Sequence, residues 1–409
     1  MTRIVMITDG AFFDRIRVSN EARALAEAGC DVEVHALDAW CEARTFDWHG
    51  VRVHEHRMPR WTHWARVLNA ETPFFAWAVS RVLRPVMHSC HADVIHVHNL
   101  FVWTGARRAM ATSKSGSIHH SSVRWVLDIA ENLPEIMQEY DHVKRGLGRL
   151  LIWPRAWARL QQQAMAAADH VVLVTPTAVQ DYVQRLGLAP GKAISCNNVP
   201  WQDHIGVEGK EQLQDRFRGN FVILYFGDTS RRRGTDLAIR AMPQIVARIP
   251  NAHLVVVGKN NREDVFLAQL REESSVQHHI HLEGFQPLER LGSYLKVSHV
   301  GISPLVRNVH HDTTHANKLF QFMHGGLPLV VSDCPAQAAL VRETSTGVVH
   351  TAGDVTSFAE AVISLGLDPQ SANEMGQRGK LAVDQVYRWD VEISRYLKAV
   401  SGDAAVSGM

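Results

Sequence analysis

Cysteine is scarce in this sequence and shows no pairing pattern. Cys30, Cys41, Cys90, Cys196 and Cys334 are scattered and odd in number, and no CxxC occurs. That argues against a disulfide framework and a cysteine zinc site, and it fits a reducing compartment. No run of 18 apolar residues is present, so no segment reads as a membrane-spanning helix. Neither sign of charge dominates. The 43 Lys and Arg against 42 Asp and Glu leave +1, which gives no global case for nucleic acid or an acidic partner. GxxxxGK[ST] and HExxH are both missing. The pairs His119–His120, His278–His279 and His310–His311 lack zinc-ligand spacing. There is no internal repeat and no low-complexity tract. The opening "MTRIVMITDG" lacks the basic-then-apolar layout of a signal peptide, so a cytoplasmic protein is the expectation.

What is present is a regular alternation of short apolar runs with segments of helical period. "RIVMITDG", "DVEVHAL", "VRVHEHRM", "DVIHVHN", "RWVLDIA" and "HVVLVTP" read as strands up to Pro176. A polar stretch from Ala193 to Asn220 reads as a linker. A second series follows: "FVILYFGD", "HLVVVGKN", "HIHLEGF", "VGISPL", "LPLVVSD" and "TGVVH". The length of 409 residues exceeds one ordinary core. The expected class is α/β, with two doubly wound Rossmann-like domains facing each other across a cleft. The expected borders are residues 1–200 and 201–385. Residues 386–409 should form a helix crossing back to the first domain and a frayed tail, "SGDAAVSGM". Ligands of such sheets sit beyond the carboxyl ends of the strands, so function should lie in those loops.

Two stretches of the second half stand out. In "GDTSRRRGTDLAIRAM", Gly227 allows a sharp exit from a strand. Arg231, Arg232 and Arg233 then precede Gly234 and a helix. Guanidiniums beside free helix N–H groups suit a phosphate, and a solvated basic turn is the plain alternative. In "VHHDTTHANKLFQFMHGGLPLVVSD", Leu319, Phe320 and Met323 should face core, with Lys318 and Gln321 on one face. Thr313 and Thr314 suit the N-cap region, and Gly325, Gly326 and Pro328 end the helix. Such a helix could take a diphosphate, with Lys318 supplying charge and Gln321 an amide for a sugar hydroxyl. It could equally be a capped surface helix with a solvated lysine.

In the first half, Gly10 permits close approach of the backbone to an acceptor or a donor phosphate. Arg17 stands at helix spacing from Glu21, so it either meets substrate or closes an internal ion pair. His98 and Asn99 end a strand and should point into the cleft. Asp128 and Glu131, inside "LDIAENLPE", could accept a proton from an acceptor hydroxyl, or Asp128 could cap a helix. His54 and His56, like His96 and His98, share a strand face and read first as structural histidines. The stretch His56 to Ser89 is rich in Arg and Trp, with Glu71 its only acid. Val143 to Leu160 has the same flavour. Basic helices with tryptophan suit an anionic membrane surface, and a buried helix exposing its arginines fits as well.

"GDTSRRRGTDLAIRAM" together with "TTHANKLFQFMHGGLPLVVSD" resembles the donor domain of GT-B glycosyltransferases of family 4. Gly227, Arg233 and Gly234 match one motif. Asn317, Lys318, Leu319, Phe320, Met323, Gly326 and Pro328 match the other. "RVSNEARALAEAGCDVEVHAL", "DVIHVHN" and "VLDIAENLPE" extend the resemblance through the first half. It implies transfer of a sugar from a nucleotide-diphosphate donor to a glycan or lipid-linked acceptor, in bacterial polysaccharide or glycolipid assembly. Retention of anomeric configuration is implied too. Arg233 would hold the diphosphate, with Lys318 assisting, and these cations would make a metal cofactor unnecessary. Gln321 stands where the family has a ribose-binding glutamate. The family's other glutamate falls at Thr313, so Asp312, His310 or His311 would contact the donor sugar instead. A family histidine falls at Ala130, and that role does not carry over. A nucleotide-sugar 2-epimerase and a non-catalytic sugar-nucleotide binding protein share these features. The expected location is cytoplasmic, peripheral on the inner face of the plasma membrane.

Overall fold

The computed structural model describes residues 1–112, 123–139, 152–201, 211–259 and 263–401. His119, His120, residues 143–151 of the second basic stretch, residues 202–210 of the linker and the polar tail after Ser401 lie outside the described residues. The chain divides into two units. One is Met1–Asn197 with the stretch from Trp389 onward, and the other is Asn198–Arg388.

The first unit is built on β1 (Arg3–Asp9), β2 (Asp31–Asp38), β3 (Arg44–Trp48), β4 (Val51–Arg57), β5 (Val94–His98), β6 (Arg124–Ile129), β7 (His170–Leu173) and β8 (Ala193–Ser195). Their order is β3-β4-β2-β1-β5-β6-β7-β8. Every pairing is parallel except β3 with β4. Ile4, Val5, Met6 and Ile7 of β1 are all at most 1% exposed. Such unbroken apolar runs are what a sheet covered by helices on both faces requires. Two strands went unread in the sequence. The residues of β3 are half polar and lie on an edge. β8 is three residues long inside the expected linker, where it pairs Ala193–Ser195 with Val171–Leu173.

The second unit holds β9 (Phe221–Phe226), β10 (Ala252–Val257), β11 (Ile280–Leu282), β12 (Val300–Ser303), β13 (Leu329–Ser332) and β14 (Gly347–His350). They are all parallel, in the order β11-β10-β9-β12-β13-β14. Strand order therefore reverses between β9 and β12, and in the first unit between β1 and β5. The crevice at such a reversal is where these sheets take ligands.

The helix Trp389–Ser401 packs against the helix Ile16–Glu27 and β8 of the first unit. Glu392, fully buried, accepts from the backbone N of Asn197 at 3.0 Å and its Nδ2 at 2.9 Å. The Tyr396 hydroxyl meets His96 Nδ1 at 3.2 Å, and the two rings stack.

Histidines are built into both sheets, and burial lowers several of them, His54 and His253 included. His54 and His56 stack with His35 from the neighbouring strand, and His35 Nδ1 lies 2.9 Å from His56 Nε2. Burial pushes His56, His311 and His315 each down to about 4. Between that value and the ordinary 6.5 the unfolded chain binds more protons than the folded one, so stability falls as pH falls through this window. Thermal midpoints should decline steadily from about pH 6.5 to about pH 4. His56→Phe should shallow that decline.

Candidate functional site

At the exit of β9 the backbone turns at Gly227, whose φ is +133°. A side chain there would meet the Lys318 ammonium group at 3.4 Å. Ser230 leads into a short turn, Arg231–Arg233, closed by Gly234 in the left-handed region at φ +72°. A Cβ on Gly234 would overlap the Pro304 carbonyl, so only glycine lets this turn dock on the chain leaving β12. The helix Thr235–Arg248 starts there.

The three arginines do not act together. Arg231 is exposed, lies over the Phe266 ring at 4.2 Å and faces Glu263 at 3.5 Å. Arg232 is half-buried, and its carbonyl accepts from Val306 N at 3.0 Å. Arg233 is half-buried, with Nε 3.6 Å from Asp228 Oδ2.

Lys318 opens the helix Lys318–His324 and is 7% exposed. Its Nζ sits 3.4 Å from the centre of the Tyr225 ring and has no hydrogen-bond partner among the described residues. A cation over an aromatic face gains about 0.5–2 kcal/mol. Removing an ammonium from water costs several kcal/mol. Burial therefore wins. It pushes the lysine well below its ordinary range; Arg233 pushes the same way, and Asp228 opposes them. Gln321 lies half-buried one turn further on.

The preceding loop departs from the sequence reading. Thr313 and Thr314 do not cap the helix Lys318–His324. Asn317 occupies that position without a side-chain bond. Thr313 lies in a separate helix, Val309–Thr313, and its hydroxyl donates back to Val309 O at 3.0 Å. Thr314 donates to His310 O at 2.9 Å. Asp312 is held by Arg307 at 2.6 and 2.9 Å, which removes it as a free sugar contact. His311 is fully buried and bonded to Val306 O at 2.7 Å, a structural role. His310 alone keeps a site character. Burial first, then His311, Arg233 and Arg232 push it down to about 3.

The first-unit candidates are mostly engaged with one another. Arg17 reaches Asp128 from two nitrogens, at 3.1 Å from Nε and 2.8 Å from Nη2. The same guanidinium meets Glu21 at 2.6 Å and Cys196 O at 3.1 Å. All three side chains are at most 8% exposed. Burial alone would raise Asp128, but Arg17 outweighs it and holds the carboxyl well below the usual range. Burial raises Glu21 well above its ordinary value, so Glu21 keeps the proton. An occluded, firmly ionised Asp128 cannot accept a proton from an acceptor, and Arg17 cannot reach one. Of the two readings of Arg17 the internal one holds, with Asp128 as the charged partner and Glu21 as a protonated neighbour.

His98 is 5% exposed and turned to the interior, with Nε2 3.6 Å from Glu21 and burial holding it neutral. It stacks on His96 at 4.3 Å. Glu21, His96, His98 and Asp128 bring ligand atoms within 4.8 Å of one another. Both histidine Nε2 atoms lie near Glu21 Oε2, at 4.0 and 3.6 Å, while Arg17 already neutralises Asp128. The cluster still leaves Glu21 Oε2, His96 Nε2 and His98 Nε2 without a hydrogen-bond partner among the described residues. Asn99, at φ +78°, caps the helix Leu100–Ala111 by accepting from Leu100 N at 2.7 Å. Gly10 at φ +85° lies under Arg15, which bonds Asp9 at 2.8 Å, with Arg66 3.6 Å away. Glu131 stands exposed beyond β6.

Sequence reasoning missed Tyr225 and Asp228. Tyr225 looks like one more core residue of a strand, and only its distance to Lys318 gives it a role.

A family model described as "Glycosyl transferases group 1" matches residues 220–368, and one described as "Glycosyltransferase Family 4" matches residues 16–196. Between them the two models span most of the chain, which is thus similar to group 1 glycosyltransferases in its second half and to family 4 in its first. One relative is the GDP-mannose-dependent alpha-(1-6)-phosphatidylinositol monomannoside mannosyltransferase of Mycobacterium tuberculosis, 26% identical over 42% of this chain and 46% of that protein. The chain spans about half the length of the curated relatives it matches. Among solved structures, the sucrose-phosphate synthase of Thermosynechococcus elongatus aligns at TM-score 0.73 with 16% identity, over 96% of this chain and 97% of that one. The HepE protein of Anabaena, solved with UDP, aligns at 0.68 with 14% identity, over 98% and 100%. These likenesses establish the GT-B fold.

Two substitutions test the electrostatics of this protein. Arg17→Met strands a buried carboxylate and should cost about 3–5 kcal/mol in urea unfolding. Lys318→Met removes a buried amine that has no hydrogen-bond partner among the described residues and should stabilise by about 0.5–2 kcal/mol.

Proposed function

We propose that the chain transfers a glycosyl group from a nucleotide-diphosphate sugar to an acceptor hydroxyl, with the donor on the second unit and the acceptor on the first. One observation carries this: the Lys318 amine, buried and unpartnered, stands near Arg233 where strand order reverses. A diphosphate would supply more negative charge than Asp228, the carboxylate these two cationic groups share. Gln321 would take the ribose hydroxyls, and His310 the donor sugar, since the Thr313 hydroxyl is bonded to its own helix.

The bond from the anomeric carbon to the diphosphate oxygen breaks, and the acceptor oxygen bonds that carbon on the same face. The acceptor proton passes to the leaving diphosphate, giving retention. Arg233 and protonated Lys318 stabilise the departing charge. Of Asp128 and Glu131, Glu131 is the one left exposed and would face an acceptor.

A lipid-linked acceptor fits relatives named for a phosphatidylinositol mannoside and, in the structure of WaaG, for lipopolysaccharide biosynthesis. No helix among the described residues is long and apolar enough to cross a membrane. On the first unit, Trp61, Trp64, Phe74 and Trp77 are 47–74% exposed, and Arg81, Arg84 and His88 lie on the outer face of the helix Phe74–Ser89. Amphipathic rings with cations suit an anionic bilayer surface.

UDP-, GDP-, ADP- and dTDP-sugars should be compared by thermal shift, since a bound ligand raises stability by mass action. One of them should raise the midpoint, and Arg233→Ala should weaken its binding by about 1.5–3 kcal/mol. Donor breakdown should need an acceptor. Rapid conversion of donor alone would favour the epimerase, and binding without turnover would favour a binding protein. The chain should float with anionic vesicles at low salt, and full recovery in the soluble fraction would refute the membrane assignment.

A further inference from the structure

Lys318 differs from an ordinary phosphate-binding lysine in where it waits. Its amine is enclosed by the Tyr225 ring and the Gly227 backbone rather than extended into water. The ionisable groups facing it are Tyr225 and Asp228 from β9 and its exit, and Arg233 from the following turn. Asp228, its only carboxylate, also bonds the Ser230 hydroxyl at 2.6 Å and its backbone N at 3.2 Å, and lies 3.6 Å from Arg233. Among the described residues only the Tyr225 face and this shared carboxylate favour a proton on Nζ, against its burial and Arg233. A diphosphate against Arg233 would bring the missing negative charge next to that nitrogen.

We infer that Lys318 is a neutral amine in the unliganded protein and takes up a proton from solvent as the donor diphosphate binds. This rests on the donor-site reading above and adds a coupling: donor binding consumes a proton, so donor affinity falls as pH rises. The sign follows from linkage, because a ligand that binds the protonated form better is weakened when protons are scarce. The proton moves from water or buffer to Nζ, and no covalent bond of the sugar nucleotide changes. The resting enzyme thus carries one buried charge fewer than its complex.

The test is calorimetric titration of UDP-glucose and of GDP-mannose into the full chain at about pH 8, in two buffers of different ionisation enthalpy. Phosphates in these diesters stay ionised there, so any proton exchanged belongs to the protein. The expected heats differ between buffers by about one proton taken up, and affinity weakens up to about tenfold per pH unit. Lys318→Arg, charged at every pH, should bind with no proton uptake and no such pH dependence. His310→Asn should keep the uptake, which separates Lys318 from the nearby imidazole. Should a variant fail to fold, the two buffers with the wild-type chain decide. Binding with equal heats in both buffers would overturn the inference while leaving the donor site standing. Absence of binding by every sugar nucleotide in the thermal-shift panel would overturn the donor site, and this coupling with it.

Discussion

A parallel sheet sheathed by helices leaves no wet surface along its strands, so polar chemistry is confined to the strand ends. Both units of this protein obey that constraint, and they use the permitted place differently. Between β1 and β5 the crevice floor matches its one buried guanidinium to carboxyl groups, Arg17 with Asp128 and Glu21, and His96 meets Tyr396, though Glu21 and both histidines keep an unpartnered atom. Between β9 and β12 the balance is left open. Arg233 has a carboxylate at 3.6 Å, and Lys318 has no hydrogen-bond partner among the described residues. A site that asks for an anion is one whose own charges fail to close.

That open balance depends on backbone proximity. Gly234 abuts the Pro304 carbonyl, and Gly258 abuts the carbonyl of Gly227. Any side chain at these positions would prise apart the exits of β9, β10 and β12. Three loops can converge because three residues contribute only backbone there.

The alternation of strands and helices was legible because both faces of each strand are buried and the runs are unbroken. Gly227, Arg233, Gly234 and Lys318 were legible because glycine punctuates the loops that carry them. The fates of Arg17 and Asp128 were not, since these partners stand 111 residues apart and no local pattern announces the pair. Nor were the roles of Thr313 and Thr314, for a hydroxyl before a helix can cap forward or bond backward with equal ease. Asp312 went the same way, claimed by Arg307 five residues upstream. Three residues of β8 are too few to stand out from a polar stretch.

The helix Trp389–Ser401 gives the architecture an asymmetry in time. His96 and Tyr396 are 300 residues apart, and Asn197 finds Glu392 only across the whole second unit. During synthesis the ribosome must deliver all of Asn198–Arg388 before the first unit can be closed. The half that is made first is completed last. A fragment ending at Asn197 would leave a polar interior without its cover, whereas the intervening half emerges with every strand of its sheet in hand.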